Sequence, residues 1–509
     1  MAAALAKPLH RNALDRLIGW FAPASAVRRA QARTILAYYE AARPSRLNKN
    51  RRATESANAD VLRAGVPMRQ IARQLEQNYD LATGVLNTLV VNIVGAGGIG
   101  VEPQPRQTDG SIHAPLARRL MELHKEWRKR PEVTGQYDWP QAERMLARTW
   151  LRDGEALVQT IAGSVPGLVH GTVVPFSVEL LEADLLPMDL NQGAIVQGVE
   201  LNAWGAPVAY HLYKADPADS WLTQAGRNTK RVSADRMLHL KLSQRIRQVR
   251  GVSVFANVLN RFDDLKDYEE SERIAAKIAA SMAAYIKKGS PELYNPEEAG
   301  DVARQMQFRP GMVFDDLRPG EEIGMIDTNR PNPNLETYRS GQLRAIAAGT
   351  GPTFSSVSRK YDGTYSAQRQ ELIEGYGIYA ALAAEFIARI SRPVYERFVA
   401  AAVASGAIQL PADLRAETIA DATYMPPAMP WIDPKKEAEA WAILEDRCYA
   451  SGPEIIRKRG GNPMDTLEQQ GRWLREKADE GVPSPAPQTS TASGGDGSSE
   501  EGGAPANQT

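Results

Sequence analysis

The sequence predicts an α+β chain, predominantly α-helical, with an antiparallel β module set between helical regions. Three observations predict it. Apolar residues recur at helical spacing through most of the first third and again beyond residue 252, whereas Val173 to Leu242 turns to β-branched runs broken by turn residues. The length of 509 residues exceeds what one hydrophobic core usually serves, so two or more structural regions are expected.

Composition narrows the class. With 43% hydrophobic and 24% charged residues the chain is close to globular averages, which argues against wholesale disorder. No apolar run reaches the roughly 18 residues of a spanning helix. The best candidate, Val85 to Val101, is interrupted by Asn87, Asn92 and glycines. The opening MAAALAKPLHRNALDRLIGWF mixes charges into its apolar residues and does not read as a secretory signal. A cytosolic chain without membrane contact is therefore expected. Cys448 is the only cysteine, which excludes an intramolecular disulfide and a zinc site of several thiolates. It is expected to be a buried small hydrophobe. Lys plus Arg and Asp plus Glu both number 61, so net charge announces no nucleic-acid binder. The first seventy or so residues are nevertheless basic (Arg28, Arg29, Arg33, Arg43, Arg46, Lys49, Arg51, Arg52). They read either as a solvated arm or as a surface for DNA or an acidic partner.

In chain order, residues 10–42 carry a helical pattern interrupted at Pro23. Ile71, Leu75, Tyr79, Leu86 and Leu89 then suit helices with one buried face, up to about Val94. Helices follow over His113–Arg128 and Trp139–Arg152, the latter closed by Asp153-Gly154. The β texture reads as one antiparallel meander, with Asn202-Ala203-Trp204-Gly205 as a hairpin connection. Val252 to Lys288 reads as one long helix stopped by Gly289-Ser290-Pro291. A Pro, Gly and Asn rich segment to Asn334 contains a short strand signal at GMVFDDL. A second helix spans Leu335–Ala348, Gly349-Thr350-Gly351-Pro352 forces a loop, and a third runs from Ser366 toward Pro393, where it must kink or break. Asp433-Pro434 starts the next helix by capping. Short helices reach about Gly481, and the low-complexity tail beyond is expected to be disordered.

Motifs for chemistry are sparse. Gly95-Ala96-Gly97-Gly98-Ile99-Gly100 satisfies G-x-G-x-x-G, but that mechanism needs a helix to open inside the motif and meet the pyrophosphate. Val101-Glu102-Pro103-Gln104-Pro105 cannot continue as helix, so a glycine-rich helix exit is the better reading. No Gly-Lys dipeptide occurs, hence no P-loop, and no serine sits in G-x-S-x-G. The histidines His10, His113, His124, His170, His211 and His239 are scattered without ligand spacing, so no metal or cofactor is expected, and His211 and His239 read as structural. The expected class is non-enzymatic. Asp263, Asp267 and Glu270 stack on one face of the long helix, with Asp264 and Glu272 nearby, as a solvated face or as a stripe repeated around a ring axis.

Several segments together resemble the lambda family of phage portal proteins, in order from about residue 40 to 480. They are Gln77-Asn78-Tyr79 with NTLVVNIVGAGG, then TWLRDGEALVQ, VELLEADLL, GVELNAWGAPVAYHLYK and RVSADRMLHLKLSQRIRQVRGVS. DDLKDYEESERIAAKIAA, LRPGEEI, LRAIAAGTGPTFSSVSRKYDGTYSAQRQELIE and WIDPKKEAEAW follow. The resemblance implies a portal fold with wing, helical stem, clip, tunnel loop and helical crown, in a ring of about twelve subunits closed by heterologous contacts. On that pattern 1–67 is the basic arm, 68–251 the wing with its β module, 252–288 a stem helix, and 289–334 the clip. Residues 335–348 are then the second stem helix, 349–363 the tunnel loop, 364–430 the long wing helix and connection, 431–481 the crown, and 482–509 the tail.

It further implies a channel for double-stranded DNA at one vertex of the virion, read without sequence specificity, in a particle assembled in the host bacterial cytoplasm. Ser355, Ser356, Ser358, Arg359 and Lys360 fall on the tunnel loop, with the two cations as candidates for transient phosphate contacts. Asp263, Asp267 and Glu270 form the acidic stem face, and Glu297, Glu298, Arg304, Arg309, Asp315 and Asp316 are the clip's docking candidates. The implied partners are the terminase large subunit, major capsid and scaffold proteins, and head-completion or connector proteins. The family usually shows a Gly-Val-Pro-Tyr-like string where this chain has Gly351-Pro352-Thr353-Phe354. Competing readings are another ring protein of the head-tail junction, a dinucleotide enzyme built on GAGGIG, and a sequence-specific DNA binder using the basic arm.

Overall fold

Helical periodicity and capping place the first elements. In a computed structural model that describes residues 56–215, 228–280, 284–288, 321–325, 332, 334–429 and 433–482, α1 spans Ala57–Asn78 and α2 Asp80–Ile93. Strand β1 (Gly100–Pro103) follows the glycine cluster, in which Gly95 and Gly98 both take φ of 74°. Helix α3 (Ala114–Trp127) is capped by His113, whose Nδ1 accepts from the Leu116 amide at 3.1 Å. Helix α4 (Trp139–Asp153) is capped by Asp138 and closed by Gly154 at φ 91°. A Cβ there would meet the Val252 backbone at 2.4 Å, so glycine is required both for the turn and for the approach.

The β region departs from the expected single meander. Strands β2 (Glu155–Ala162), β3 (Phe176–Leu181) and β8 (Met237–Lys241) make one antiparallel sheet in the order β3-β2-β8. Strands β4 (Ile195–Val196), β5 (Val199–Leu201), β6 (Pro207–Tyr213) and β7 (Thr229–Ser233) make a second. The central strand β2 was not among the expected strands; it is buried along most of its length and so lacks period-2 alternation. The β5–β6 hairpin forms where expected, with Gly205 at φ 83° and the Asn202 Oδ1 accepting from the amides of Trp204 and Ala206, both at 2.9 Å.

A buried ion network joins the two sheets. The Glu155 carboxylate takes the Arg250 Nε at 2.8 Å, the His239 Nε2 at 3.0 Å and the Gly251 amide at 3.0 Å. Arg250, wholly buried, also donates to the carbonyls of Leu186, Gln197 and Ala183 at 2.9, 3.0 and 3.1 Å. Burial alone would raise the Glu155 pKa, but Arg250 and His239 hold it well below the usual carboxylate range. His211 pairs with Glu200 at 3.2 Å, so both histidines are satisfied structural groups, as expected.

The expected helix over Val252–Lys288 is shorter. Residues 252–258 make turns anchored by Ser253, α5 spans Leu259–Ala280, and Ala284–Lys288 is β9, paired antiparallel with β10 (Glu321–Met325). Tyr285 and Ile286 suit a strand, and pairing across a long connection overrides the helical spacing. The GMVFDDL strand lies outside the described residues. Helix α6 (Leu335–Thr350) ends at Gly351, α7 (Phe354–Ser358) interrupts the expected loop, and α8 (Tyr365–Phe386) leads through a π-turn at Ile387–Ser391 into α9 (Arg392–Ala404). Pro393 sits in the first turn of α9, so the expected break is a π-turn and the chain stays helical. Strand β11 (Ala422–Met425) pairs with β1, and α10 (Pro434–Asp446), α11 (Gly452–Lys458) and α12 (Pro463–Asp479) close the described chain.

Asp433 caps α10 as expected, its carboxylate accepting from the Lys436 amide at 3.3 Å. Cys448 is exposed at φ 59° just beyond α10, not buried; α10 to α12 bury almost nothing, so no core is there to receive it. Residues Val61–Thr509 group as one unit and Met1–Asp60 as another. In the former, Trp127, Trp139, Phe176 and Phe398 cluster with His124, and the Trp127 indole donates to the Phe176 carbonyl at 3.0 Å. Burial pushes His124 down to about 3, so it is a neutral core side chain.

Candidate nucleic-acid interface

Helices α5 and α6 run antiparallel and are joined side by side. Arg261 reaches Gln342 at 3.1 Å, Tyr268 packs on Tyr338 with centroids 4.5 Å apart, and Arg339 pairs with Glu269 at 2.8 Å. Nearer the far end, Asn332 donates to the Tyr268 hydroxyl and to Glu272, both at 3.0 Å. Phe262 and Leu265 turn inward, Phe262 edge-on to Tyr79 at 5.8 Å. Asp263, Asp267 and Glu270 lie on the opposite face and are exposed, as is Asp264. Glu270 is held by Arg273 at 3.2 Å, so the acidic stripe is partly compensated, whereas Glu272 belongs to the contact with α6.

At the end of α6 the chain turns sharply. Gly349 brings α6 so close to the turn that leads into α5 that a Cβ would meet Val258 Cγ1 at 2.5 Å. Gly351 caps the helix at φ 105°, its amide donating to the Ala347 carbonyl at 2.8 Å, a conformation that favours glycine strongly. The string Gly351-Pro352-Thr353-Phe354 therefore has a definite shape: Pro352 is buried, Thr353 caps α7 by accepting from the Ser356 amide at 3.3 Å, and Arg344 lies 5.0 Å above the Phe354 ring.

The loop is clamped to α8 through one carboxylate. Glu371 accepts from the Ser355 amide at 2.8 Å and from its hydroxyl at 2.6 Å. Gly375, one turn on, lets the Thr353 methyl pack against the α8 backbone, because a Cβ there would lie 2.5 Å from Thr353 Cγ2. Ser356 receives the Thr353 hydroxyl at 2.7 Å and Ser358 accepts from the Lys360 amide at 3.3 Å, so the three serines serve the loop's own conformation. Arg359 terminates α7 in the left-handed region at φ 57°, unusual for a non-glycine residue. It is exposed, and among the described residues no partner falls to its guanidinium. Lys360 is exposed and pairs with Glu336 at 3.2 Å and Asp362 at 3.4 Å, which push its pKa up.

The structure thus brings Ser355, Ser356, Ser358, Arg359 and Lys360 together on one short turn beside the α5–α6 pair. Glu297, Glu298, Arg304, Arg309, Asp315 and Asp316 lie outside the described residues, as do residues 1–55 of the basic arm and 483–509 of the tail, whereas Ala57–Pro67 belong to α1. Sequence reasoning missed Glu371, Arg344 and Gly375. The Thr353 cap was readable as a threonine ahead of a short helix, while nothing local marks Glu371. For metals, the described residues offer one acidic trio, Asp153, Glu182 and Asp184, within 4.8 Å of one another. Arg73 takes Asp153 at 2.6 Å and Glu182 at 3.1 Å, and Arg152 takes Asp153 at 2.7 Å, so this is an ion-pair network. Around the glycine motif, β1 and not a helix follows. Arg128 donates to the Gly97 carbonyl at 2.6 Å, and the buried Glu143 accepts from the Ile99 amide and the Ser391 hydroxyl, both at 2.9 Å.

Comparison with known proteins reveals consistent likenesses. A family model described as phage portal protein, lambda family, matches residues 43–382. A probable portal protein of Halomonas phage phiHAP-1 is 24% identical over 473 residues, covering 89% of each chain. Portal protein B of Escherichia phage lambda is 21% identical over 319 residues, 57% of this chain and 60% of that one. Among solved structures, a chain from the neck of a native gene transfer agent particle, computed with C12 symmetry, aligns with 14% identity and a TM-score of 0.45 over 79% of this chain and 94% of that one.

Proposed function

Because the chain belongs to the lambda family of phage portal proteins, we propose that it is the subunit of a ring through which double-stranded DNA enters and leaves the capsid, at one vertex of the virion. The observation that carries this reading is the turn at 351–360, held in one conformation by Gly351, the Thr353 cap and the Glu371 clamp, and presenting Arg359 and Lys360 to solvent. A short rigid turn carrying two exposed cations supplies contacts to phosphate that carry no sequence information.

Charge balance favours passage over grip. Duplex DNA carries one charge per roughly 1.7 Å, so a densely cationic wall would release many counterions and hold the duplex tightly. In this proposal the exposed Asp263, Asp267 and Glu270 face borders the channel and keeps it from adhering, while Arg359 and Lys360 make brief contacts. Residues 252–288 and 335–348 then act as stem, 349–363 as tunnel loop, 68–251 as wing and 431–481 as crown. The segment 289–334 meets the terminase large subunit and later the head-completion proteins, and the capsid and scaffold proteins surround the ring. The ring itself is passive, and the motor is the partner that converts energy.

The test is a packaging assay with Arg359→Ala/Lys360→Ala portals. Shorter or poorly retained DNA in otherwise normal heads is expected. Unchanged packaging and retention removes the loop's role, and a purified chain that never forms a closed ring removes the reading as a whole.

A further inference from the structure

Two surface features stand out among the described residues. The loop Ser243–Arg247 between β8 and the turns before α5 presents Ile246, 97% exposed, between Arg245 and Arg247, both of them exposed. The loop that carries it is held by hydrogen bonds from below. The buried Gln248 accepts from the amides of Gln244 and Arg245 at 3.0 and 3.2 Å and donates to the Arg250 carbonyl at 2.8 Å. Lys241 donates to the Val249 carbonyl at 3.0 Å, Arg250 is the wholly buried hub of the network below, and Arg247 takes φ 64°. A fixed apolar knob flanked by cations is a docking element, since its ordering cost is already met before a partner arrives.

The second feature is the outer face of α8, opposite the side that Tyr379, Ala383 and Phe386 bury. Ile373 is 48% and Ile378 45% exposed, and Gly377 stands between them. A Cβ at Gly377 would meet nothing within 4 Å, so no described neighbour calls for glycine in mid-helix, where it weakens the helix relative to alanine. That open space would admit the close approach of another chain. Acidic groups edge the same face: Glu374, which accepts from Gln370 at 3.0 Å, and Glu385, 3.5 Å from Arg389.

We propose that the Ser243–Arg247 loop of one subunit seats on the α8 face of a second copy, Ile246 packing over Gly377 between Ile373 and Ile378 while Arg245 and Arg247 approach Glu374 and Glu385. The two features are complementary in character: an exposed isoleucine flanked by cations, and an apolar strip with open space at its glycine and acidic edges. A ring closes through contacts between two different patches that every copy carries, and this pair has that form. The proposal rests on the ring reading above.

The experiment uses the purified full-length chain, with rings counted by electron microscopy and mass by sedimentation at fixed subunit concentration. Ile246→Asp, and separately Arg245→Glu/Arg247→Glu, are expected to shift rings toward monomers, with the subunit association constant down by at least ~10-fold, as loss of one buried isoleucine implies. All these residues are exposed, so unchanged circular dichroism will show that folding is intact. Glu374→Arg/Glu385→Arg is expected to have the same effect, and the combined four-residue reversal to restore rings. Wild-type rings accompanied by unaffected Ile246→Asp rings overturn this docking alone. Rings lost in each reversal and not restored in the combination overturn the pairing with α8, and a wild-type chain that stays monomeric overturns the ring reading and the docking together.

Discussion

Removing the Glu371 carboxylate tests whether the turn at 351–360 is set by its clamp. In Glu371→Ala the Ser355 amide and hydroxyl lose acceptors at 2.8 and 2.6 Å, while the Thr353 cap and the Val357 amide's bond to the Thr353 carbonyl at 3.1 Å remain. Hydrogen bonds to a charged acceptor contribute about 1.5–3 kcal/mol each when buried. Both partners here are half-buried and share one carboxylate, so roughly 2–3 kcal/mol for the pair is the working figure. Because the clamp closes a local unit, that energy should appear in local opening more than in global unfolding. Amide hydrogen exchange over Ser355–Val357 should therefore accelerate by about 30- to 150-fold, at ~1.4 kcal/mol per tenfold. The thermal midpoint should move far less. Glu371→Gln keeps one acceptor oxygen and should fall between wild type and alanine. Exchange in Glu371→Ala within about threefold of wild type, under ~0.7 kcal/mol, would refute the reasoning.

Further expectations concern the charges. Arg250→Met leaves the Glu155 carboxylate buried with His239, the Gly251 amide and the more distant Arg69 at 3.9 Å, and orphans three carbonyls. A loss of about 3–5 kcal/mol in urea unfolding is expected, smaller at pH 4 than at pH 7, because the stranded carboxyl can then protonate. A loss under ~1 kcal/mol would show that the network is not what joins the sheets. Glu143 is pushed by burial to about 7 from 4.5, so its stabilising neutral form is fully present below pH 4.5 and is lost as pH rises through 7. The wild-type minus Glu143→Gln stability difference should fall by roughly 3 kcal/mol between pH 4.5 and pH 8, and a difference flat in pH refutes it. Gly351→Ala forces a side chain to adopt φ 105° and should cost about 1–2 kcal/mol, read as a lower thermal midpoint; an unchanged midpoint would mean that the α6 exit relaxes freely.

What could be read in the residues alone was whatever acts within a few positions. The helices over 68–94, 114–127 and 139–153, the Asp433-Pro434 start, the Asn202–Gly205 hairpin and the irregularity ahead of Pro393 follow from periodicity, capping and φ preferences, all of which reach no further than a turn or two. The glycine cluster was correctly taken as a helix exit because the prolines after it forbid a helix. Family membership was legible too, because several local strings fall in one order over most of the chain. Tertiary structure decided the rest. Strand β2 is buried along most of its length, so its run EALVQTIA carries no alternation, and which of two sheets each strand joins depends on partners far along the chain. Helix α5 ends earlier than its apolar spacing suggests because Ala284–Lys288 finds a strand partner at Glu321–Met325. Ser355 meets Glu371 across 16 residues and Glu155 meets Arg250 across 95. Carboxylate and guanidinium carry no mark of their partner until the fold brings them within 3 Å, so the clamp that shapes the loop and the ion pair that joins the sheets exist only in three dimensions.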